Sequence, residues 1–118
     1  MDNYEAELQL NRYKIMLAGL GINVTKMRVH AIVRDGGLMV AKSRGVGRNT
    51  YLIPVQQLDD NEVSTYFAGK IQALEEALHN KSWTIPCDNR ECWDGVRCRN
   101  YCPVNMFCPK GMLETGGR

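Results

Sequence analysis

Apolar residues recur at three- and four-residue steps in two stretches of the chain, which predicts two amphipathic helices. The first stretch is Asn3–Leu20, and the glycines around its end are typical of a helix terminus. The second begins where Asp59 or Asp60 caps it, with Glu62 in the position of a capping-box partner, and extends to about Asn80. Its predicted core stripe consists of Val63, Phe67, Ile71, Leu74 and Leu78.

Between these helices, apolar and polar residues alternate, as they do in half-buried strands. Ile22–Val33 and Leu38–Ala41 are predicted to form a β-hairpin around a tight turn at Arg34–Gly37. Thr50–Val55 is predicted to be a third strand, which lies at the edge of the sheet if it includes Pro54. The pattern therefore predicts an α+β domain with two helices and a three-stranded antiparallel sheet.

All five cysteines of the chain lie in the segment Cys87–Cys108. Thiolates bind soft metals and iron–sulfur clusters when short spacers let the backbone fold around one centre. No Cys-x-x-Cys pair occurs, and prolines directly follow Cys102 and Cys108, so we rank an iron–sulfur cluster ahead of zinc. The odd cysteine count and the lack of an apolar leader argue against a secreted disulfide framework, and a segment without metal is the third alternative.

The length of 118 residues is that of one domain. Residues 1–82 are predicted to form a helix–hairpin–strand–helix core, residues 83–113 a cysteine-rich metal or cluster segment, and residues 114–118 a flexible tail. No apolar run approaches the roughly 20 residues of a membrane span, which predicts a cytoplasmic protein without a membrane partner.

The formal charge of +2 is too small to indicate a nucleic-acid partner, but the basic residues are concentrated in one stretch. Between Lys26 and Arg48 the one acidic residue is Asp35. A basic surface of this kind contacts phosphates in some proteins and is merely solvated in others. The candidate DNA contacts are Lys26, Arg28, Lys42, Arg44 and Arg48.

Gln9 and Tyr13 lie one turn apart on the same face of the first predicted helix. This spacing resembles the Q-x-x-x-Y helix of the RecB-like nucleases of the PD-(D/E)xK superfamily, which also tend to carry a C-terminal cysteine segment that holds a 4Fe-4S cluster. The resemblance implies a partial restriction-endonuclease-like fold. It also implies a cluster, or zinc as the alternative, bound by Cys87, Cys98, Cys102 and Cys108, with Cys92 as an alternate ligand.

The chain departs from this family at the catalytic acids. In the family an aspartate and then a Glu-x-Lys precede the Q-x-x-x-Y helix, whereas the residues before Gln9 contain Asp2, Glu5 and Glu7 but no lysine. Cleavage by two metal ions needs carboxylates that converge on Mg²⁺. Magnesium is therefore expected only if a missing N-terminal part completes the site, and whether the chain is an enzyme is left open.

These features predict a DNA-binding or DNA-processing protein equivalent to the C-terminal, iron–sulfur-bearing part of a RecB-like exonuclease, without catalysis by the isolated chain. The alternative is a small zinc- or cluster-binding protein-interaction module, such as a phage-encoded regulator. A half-fold exposes a strand edge along Ile22–Val33, so the expected partners beside DNA are a second copy of the chain or a partner chain that supplies the missing half.

Overall fold

The computed structural model describes residues 3–82 and 86–116. Within these residues it contains five helices and two strands, which confirms the α+β class. The elements are α1 (Tyr4–Gly19), β1 (Arg28–Ile32), α2 (Met39–Ser43), β2 (Thr50–Pro54), α3 (Asp60–Asn80), α4 (Val96–Asn100) and α5 (Pro109–Glu114). The chain divides into two compact units, an N-terminal unit that ends at Ser64 and a C-terminal unit that begins at Thr65.

The buried centre of the N-terminal unit includes a polar side chain, Asn11 of α1, which is 0% exposed. Its amide nitrogen donates to the carbonyl oxygens of Glu7, at 2.8 Å, and Gln56, at 2.9 Å. Its amide oxygen accepts from the backbone N–H of Leu58 at 2.9 Å. Because both donors and the acceptor are used, Asn11 ties α1 to the segment that follows β2 at little desolvation cost. The apolar residues buried with it are Leu8, Val55 and Val63.

Strands β1 and β2 form an antiparallel pair, with Arg28 opposite Pro54 and Ile32 opposite Thr50. The described residues contain a two-stranded sheet in place of the predicted three-stranded one, because Leu38–Ala41 leads into helix α2 instead of forming a strand. An apolar run this short fits a helix turn as well as a strand, and its composition does not exclude helix. Met39 and Val40 of this segment are largely exposed.

The predicted turn at Arg34–Gly37 is present, although it leads into α2. Gly37 adopts a left-handed conformation, with φ of +88°. A Cβ atom on Gly36 would collide with the Arg48 carbonyl group, so the close approach of these two backbones requires glycine. The approach is fixed by the backbone N–H of Val33, which donates to the Asn49 carbonyl at 2.6 Å.

Helix α3 begins and ends as predicted, and Asp59 caps its first turn. The Asp59 carboxylate accepts from the backbone N–H groups of Asn61, at 3.0 Å, and Glu62, at 3.1 Å. The predicted core stripe is wrong beyond the first two turns, because burial falls along the helix: Val63 is buried and Phe67 half-buried, whereas Ile71, Leu74 and Leu78 are exposed.

None of the described helices is both long and apolar enough to cross a membrane. Positions 1–2, 83–85 and 117–118, which include Asp2, the start of the predicted cysteine-rich segment and the end of the predicted tail, lie outside the described residues.

We expect Asn11→Ala to lower the free energy of unfolding by about 2 kcal/mol, because it removes a fully buried side chain and leaves the Leu58 N–H and the Gln56 carbonyl without their partner. Met16→Ala, on an exposed position of the same helix, is the control and should change the stability by less than about 0.5 kcal/mol. Urea unfolding followed by circular dichroism measures both. Equal effects of the two substitutions would show that Asn11 does not anchor α1.

Candidate metal centre

The cysteine-rich segment begins with a tightly capped turn. The Asp88 carboxylate accepts from the backbone N–H of Glu91 at 2.8 Å, and the Glu91 carboxylate accepts from the backbone N–H of Asp88 at 3.0 Å. This reciprocal pair is a capping box, in which each acid satisfies a backbone donor of the other residue. The backbone N–H of Cys92 then donates to the Asp88 carbonyl at 3.1 Å, so the turn delivers Cys92 in a fixed position.

Three consecutive left-handed residues follow Cys92. Trp93 and Asp94 have φ of 52°, and Gly95 has φ of 86°. Left-handed backbone costs a residue with a side chain about 1–2 kcal/mol, so the surrounding contacts must hold this bend. The bend reverses the chain before α4 and lets the backbone N–H of Arg97 donate back to the Cys92 carbonyl at 3.1 Å. It thereby returns Cys98 toward Cys92.

Helices α4 and α5 are fastened to each other by polar and steric contacts. The Asn105 amide donates to the Cys98 carbonyl at 2.9 Å, and the Arg99 guanidinium pairs with the Glu114 carboxylate at 2.7 Å. Gly111 of α5 packs directly on the Asn105 backbone, where a Cβ atom would collide. These contacts position Cys98, in α4, and Cys108, which precedes α5, within one small unit.

The five cysteines are free thiols of unequal exposure: Cys92 and Cys98 are buried, Cys102 and Cys108 are half-buried, and Cys87 is exposed. The Cys92 thiol donates to the Asn89 carbonyl at 3.6 Å. Burial raises the pKa of the Cys98 thiol, and three neighbouring thiols raise it further. These neighbours are Cys92, Cys102 and Cys87.

The Cys87 thiol belongs to the same group although the residue is exposed overall. Partial burial raises the pKa of this thiol, and the Glu91 carboxylate and the Cys108 thiol add to the rise, against the opposing effect of the Lys70 ammonium group. Electrostatic effects therefore connect Cys98 with Cys87, Cys92 and Cys102, and Cys87 with Cys108. Which of the five bind a metal stays a prediction.

Lys110 of α5 places a cation in this group. Its ammonium group donates to the Cys87 carbonyl at 2.6 Å and to the Asn89 side chain at 3.3 Å. Burial lowers the pKa of Lys110, but a hydrogen bond to Cys92 and the nearby Cys98 and Cys87 thiols outweigh this effect and raise it. The ammonium group thus favours negative charge on the surrounding sulfurs.

Glu91 attaches the cysteine-rich segment to α3. Its carboxylate accepts from the Tyr66 hydroxyl at 2.9 Å and forms an ion pair with Lys70. Burial raises the pKa of Glu91, but the hydrogen bonds from Lys70, the Asp88 backbone and Tyr66 prevail and lower it. Sequence reasoning missed both Glu91 and Lys110, although the Asp-x-x-Glu spacing at Asp88 was a signal for the first.

Across residues 3–82 and 86–116, no three His, Cys, Asp or Glu side chains converge closely enough to hold a metal ion. The donor chemistry nevertheless fits a soft metal or an iron–sulfur cluster, because five free thiols lie in one short segment and two of them are buried. Binding would require the thiols to close inward and to release their protons.

The other predicted site residues lie in the N-terminal unit. The Gln9 amide donates to the Tyr13 hydroxyl at 2.9 Å on the exposed surface of α1. All five candidate DNA contacts are exposed, and the Arg48 guanidinium lies over the Tyr51 ring, 4.9 Å from its centroid. The set is Lys26, Arg28, Lys42, Arg44 and Arg48.

Comparisons with family models, with curated proteins and with solved structures gave no match to this chain.

Because its pKa is lowered in the folded state, the Glu91 carboxylate should stabilise the protein above the ordinary glutamate pKa of about 4.3. This contribution should disappear as the pH falls through the lower folded-state value. We therefore expect Glu91→Gln to be less stable than the unsubstituted protein at neutral pH, with the difference shrinking in acid. Thermal unfolding across this pH range is the measurement.

Glu75→Gln, on an exposed position of α3, is the matched control and should show no such pH-dependent difference. A Glu91→Gln difference that stays constant as the pH falls would assign the effect to packing and not to the charge.

Proposed function

We propose that this chain is a DNA-binding or DNA-processing protein, equivalent to the C-terminal, iron–sulfur-bearing part of a RecB-like exonuclease. The observation that carries the proposal is the presence of five free thiols, two of them buried, in one segment of the C-terminal unit. The Gln9–Tyr13 hydrogen bond on α1 adds to it, since this pair occupies the positions of the Q-x-x-x-Y motif. Either feature alone is common, but their combination is typical of that nuclease group.

In this proposal Cys87, Cys98, Cys102 and Cys108 hold a 4Fe-4S cluster, with Cys92 as the alternate ligand and zinc as the alternative metal. A bound metal centre supplies folding energy where apolar burial is small. The C-terminal unit fits that need, because several of its apolar side chains are exposed. They include Val104, Met106, Phe107 and Leu113.

In this proposal the contact with phosphate is made by exposed basic residues of the N-terminal unit, namely Lys26, Arg28, Lys42, Arg44 and Arg48. Lys42 and Arg44 belong to α2 and its C-terminal end, Arg48 precedes β2, and Arg28 lies on the exposed side of β1. Arginine and lysine on such a surface bind the DNA backbone without reading sequence, and they release condensed counterions when they do so.

Catalysis belongs to this proposal only if another chain or a missing N-terminal part supplies the carboxylates for Mg²⁺. The same addition would extend the β1–β2 pair toward a three-stranded sheet and a restriction-endonuclease-like fold. A partner chain or a second copy of this chain is therefore part of the proposal, since both strands of a two-stranded sheet keep an open edge.

The second candidate function is a protein-interaction module in which the cysteine-rich segment, with bound zinc or a cluster, is a structural scaffold. The exposure of Met106, Phe107 and Leu113 favours it, because large exposed apolar side chains are available for contact with a partner protein.

Protein purified without oxygen should be brown, with a broad visible absorption that bleaches on reduction. Serine at Cys98, Cys102 or Cys108 should remove the colour and destabilise the C-terminal unit, whereas Cys92→Ser should be milder. Absorption spectra and iron and zinc analysis measure the outcome. A colourless protein with stoichiometric zinc would show that the metal is zinc. If Cys87→Ser is harmless and Cys92→Ser is damaging, the fourth ligand is Cys92 and not Cys87.

Binding to duplex DNA should weaken with salt at a log–log slope of about −0.9 per phosphate contacted, with about three to four contacts in total. Arg44→Glu combined with Arg48→Glu should flatten the slope, whereas Lys81→Glu, an exposed charge outside the basic stretch, should leave it unchanged. Fluorescence anisotropy with labelled DNA is the measurement. The absence of binding at low ionic strength would favour the protein-interaction module.

A further inference from the structure

A pocket opens beside the cysteine-rich turn of the C-terminal unit, with a volume of about 520 Å³. It is lined by Trp93, Asp94, Val96 and Tyr101. The Trp93 and Tyr101 rings lie with their centroids 5.8 Å apart and their planes inclined by 60°. Tyr101 keeps 69% of its surface exposed, so this ring offers most of its surface to a ligand.

The walls of the pocket are fixed by the backbone. Trp93 and Asp94 sit in the left-handed bend before α4, and the backbone N–H of Tyr101 donates to the Arg97 carbonyl at 2.9 Å at the other end of that helix. The Arg97 guanidinium lies over the Trp93 ring, 5.5 Å from its centroid, and also donates to the Glu91 carbonyl at 3.3 Å. A pocket built on such contacts needs little ordering before it binds a ligand.

The lining of the pocket and the neighbouring Arg97 together offer three kinds of chemistry. Two aromatic rings supply flat apolar surfaces, Asp94 supplies a carboxylate that accepts hydrogen bonds, and Arg97 holds a positive charge beside the Trp93 ring. A nucleotide in a single strand has the complementary parts, namely a flat base, donor groups on the base edge and a negative phosphate. An apolar side chain of a peptide would use the rings but neither charged group.

We propose that this pocket binds one unstacked base of single-stranded DNA, with guanine preferred. The inference rests on the proposed DNA-binding function and adds a site in the C-terminal unit to the phosphate contacts of the N-terminal unit. Guanine is the base of choice because its Watson–Crick edge carries two adjacent donors, which a carboxylate accepts as a pair. The volume lies within the roughly 300–1,000 Å³ of small-ligand sites, so it accommodates a base with its sugar.

The experiment uses the full chain with Trp83→Phe, which leaves Trp93 as the sole tryptophan. The probes are labelled oligothymidylates of about 11 nucleotides, a length typical of single-strand sites, that carry one central guanine, thymine or abasic position. Anisotropy gives the affinity, and quenching of Trp93 emission reports whether the base reaches the pocket. We expect the guanine probe to quench Trp93 and to bind about tenfold more tightly than the abasic probe.

Variants separate the two parts of the site. Tyr101→Ala should abolish the advantage of the guanine probe over the abasic probe. Asp94→Asn should abolish the preference for guanine over thymine while keeping base-dependent binding, and asparagine tolerates the left-handed backbone at this position. Phe107→Ala, an equally exposed aromatic residue that does not line the pocket, is the matched control and should change neither preference.

The outcomes also separate this inference from the proposed function. Equal affinity for the guanine and abasic probes, together with salt-dependent binding, would overturn the base pocket and leave DNA binding in place. No binding of any probe at low ionic strength would overturn both. A response of Trp93 to N-acetyl-leucinamide but not to the guanine probe would overturn the base pocket in favour of a peptide site.

Discussion

The hydrogen bonds of the Lys110 ammonium group connect the two ends of the cysteine-rich segment in the C-terminal unit. This group joins α5 to the beginning of the cysteine-rich segment through the Cys87 carbonyl and the Asn89 side chain, and it reaches the Cys92 thiol. These hydrogen bonds join two chain segments that lie about twenty residues apart in the sequence. Burial raises the pKa of the Cys87 and Cys98 thiols, and neighbouring thiols raise it further, so the surroundings oppose the ionisation of these two side chains.

A metal would change this balance by displacing the thiol protons. Affinity should then rise with pH, since each ligand must lose its proton before it binds, and Lys110 offsets part of the negative charge that the thiolates bring together. The bend at Trp93–Gly95 serves the same closure. It returns Cys98 toward Cys92 and, as a consequence of the same geometry, turns the Trp93 ring into the wall of a pocket.

The sequence predicted the elements whose signals are local and periodic. Helices α1 and α3 were found because their apolar residues repeat over four or more turns, and the cap at Asp59 was found from its spacing. Helices α4 and α5 were missed because five or six residues among cysteines and prolines carry no period. The second predicted strand was wrong because four apolar residues fit α2 equally well.

The sequence predicted the cysteines of the candidate site but not the residues that hold them in place. Five closely spaced cysteines indicate a candidate metal site from the sequence alone. The partners of Lys110 could not be predicted, because they depend on how a segment without periodicity folds. Asn11 illustrates the same limit in the N-terminal unit. A polar residue on a helix is expected at the surface, and its burial becomes favourable only once Gln56 and Leu58, more than forty positions away, present their backbone groups to it.

The N-terminal unit has a further requirement that follows from its sheet. A two-stranded pair is marginally stable in water by itself and needs a covered face or additional strands. One face of this pair is exposed, with Ile32 at 74% and Leu52 at 61%, and Asn11 secures α1 and the segment after β2 without covering that face. The buried apolar residues of the unit among the described positions are Leu8, Val55 and Val63, so the strand pair gains little apolar cover from them. In the proposed function a partner strand at an open edge would supply additional stabilisation through backbone hydrogen bonds, and its side chains would cover apolar residues of the exposed face.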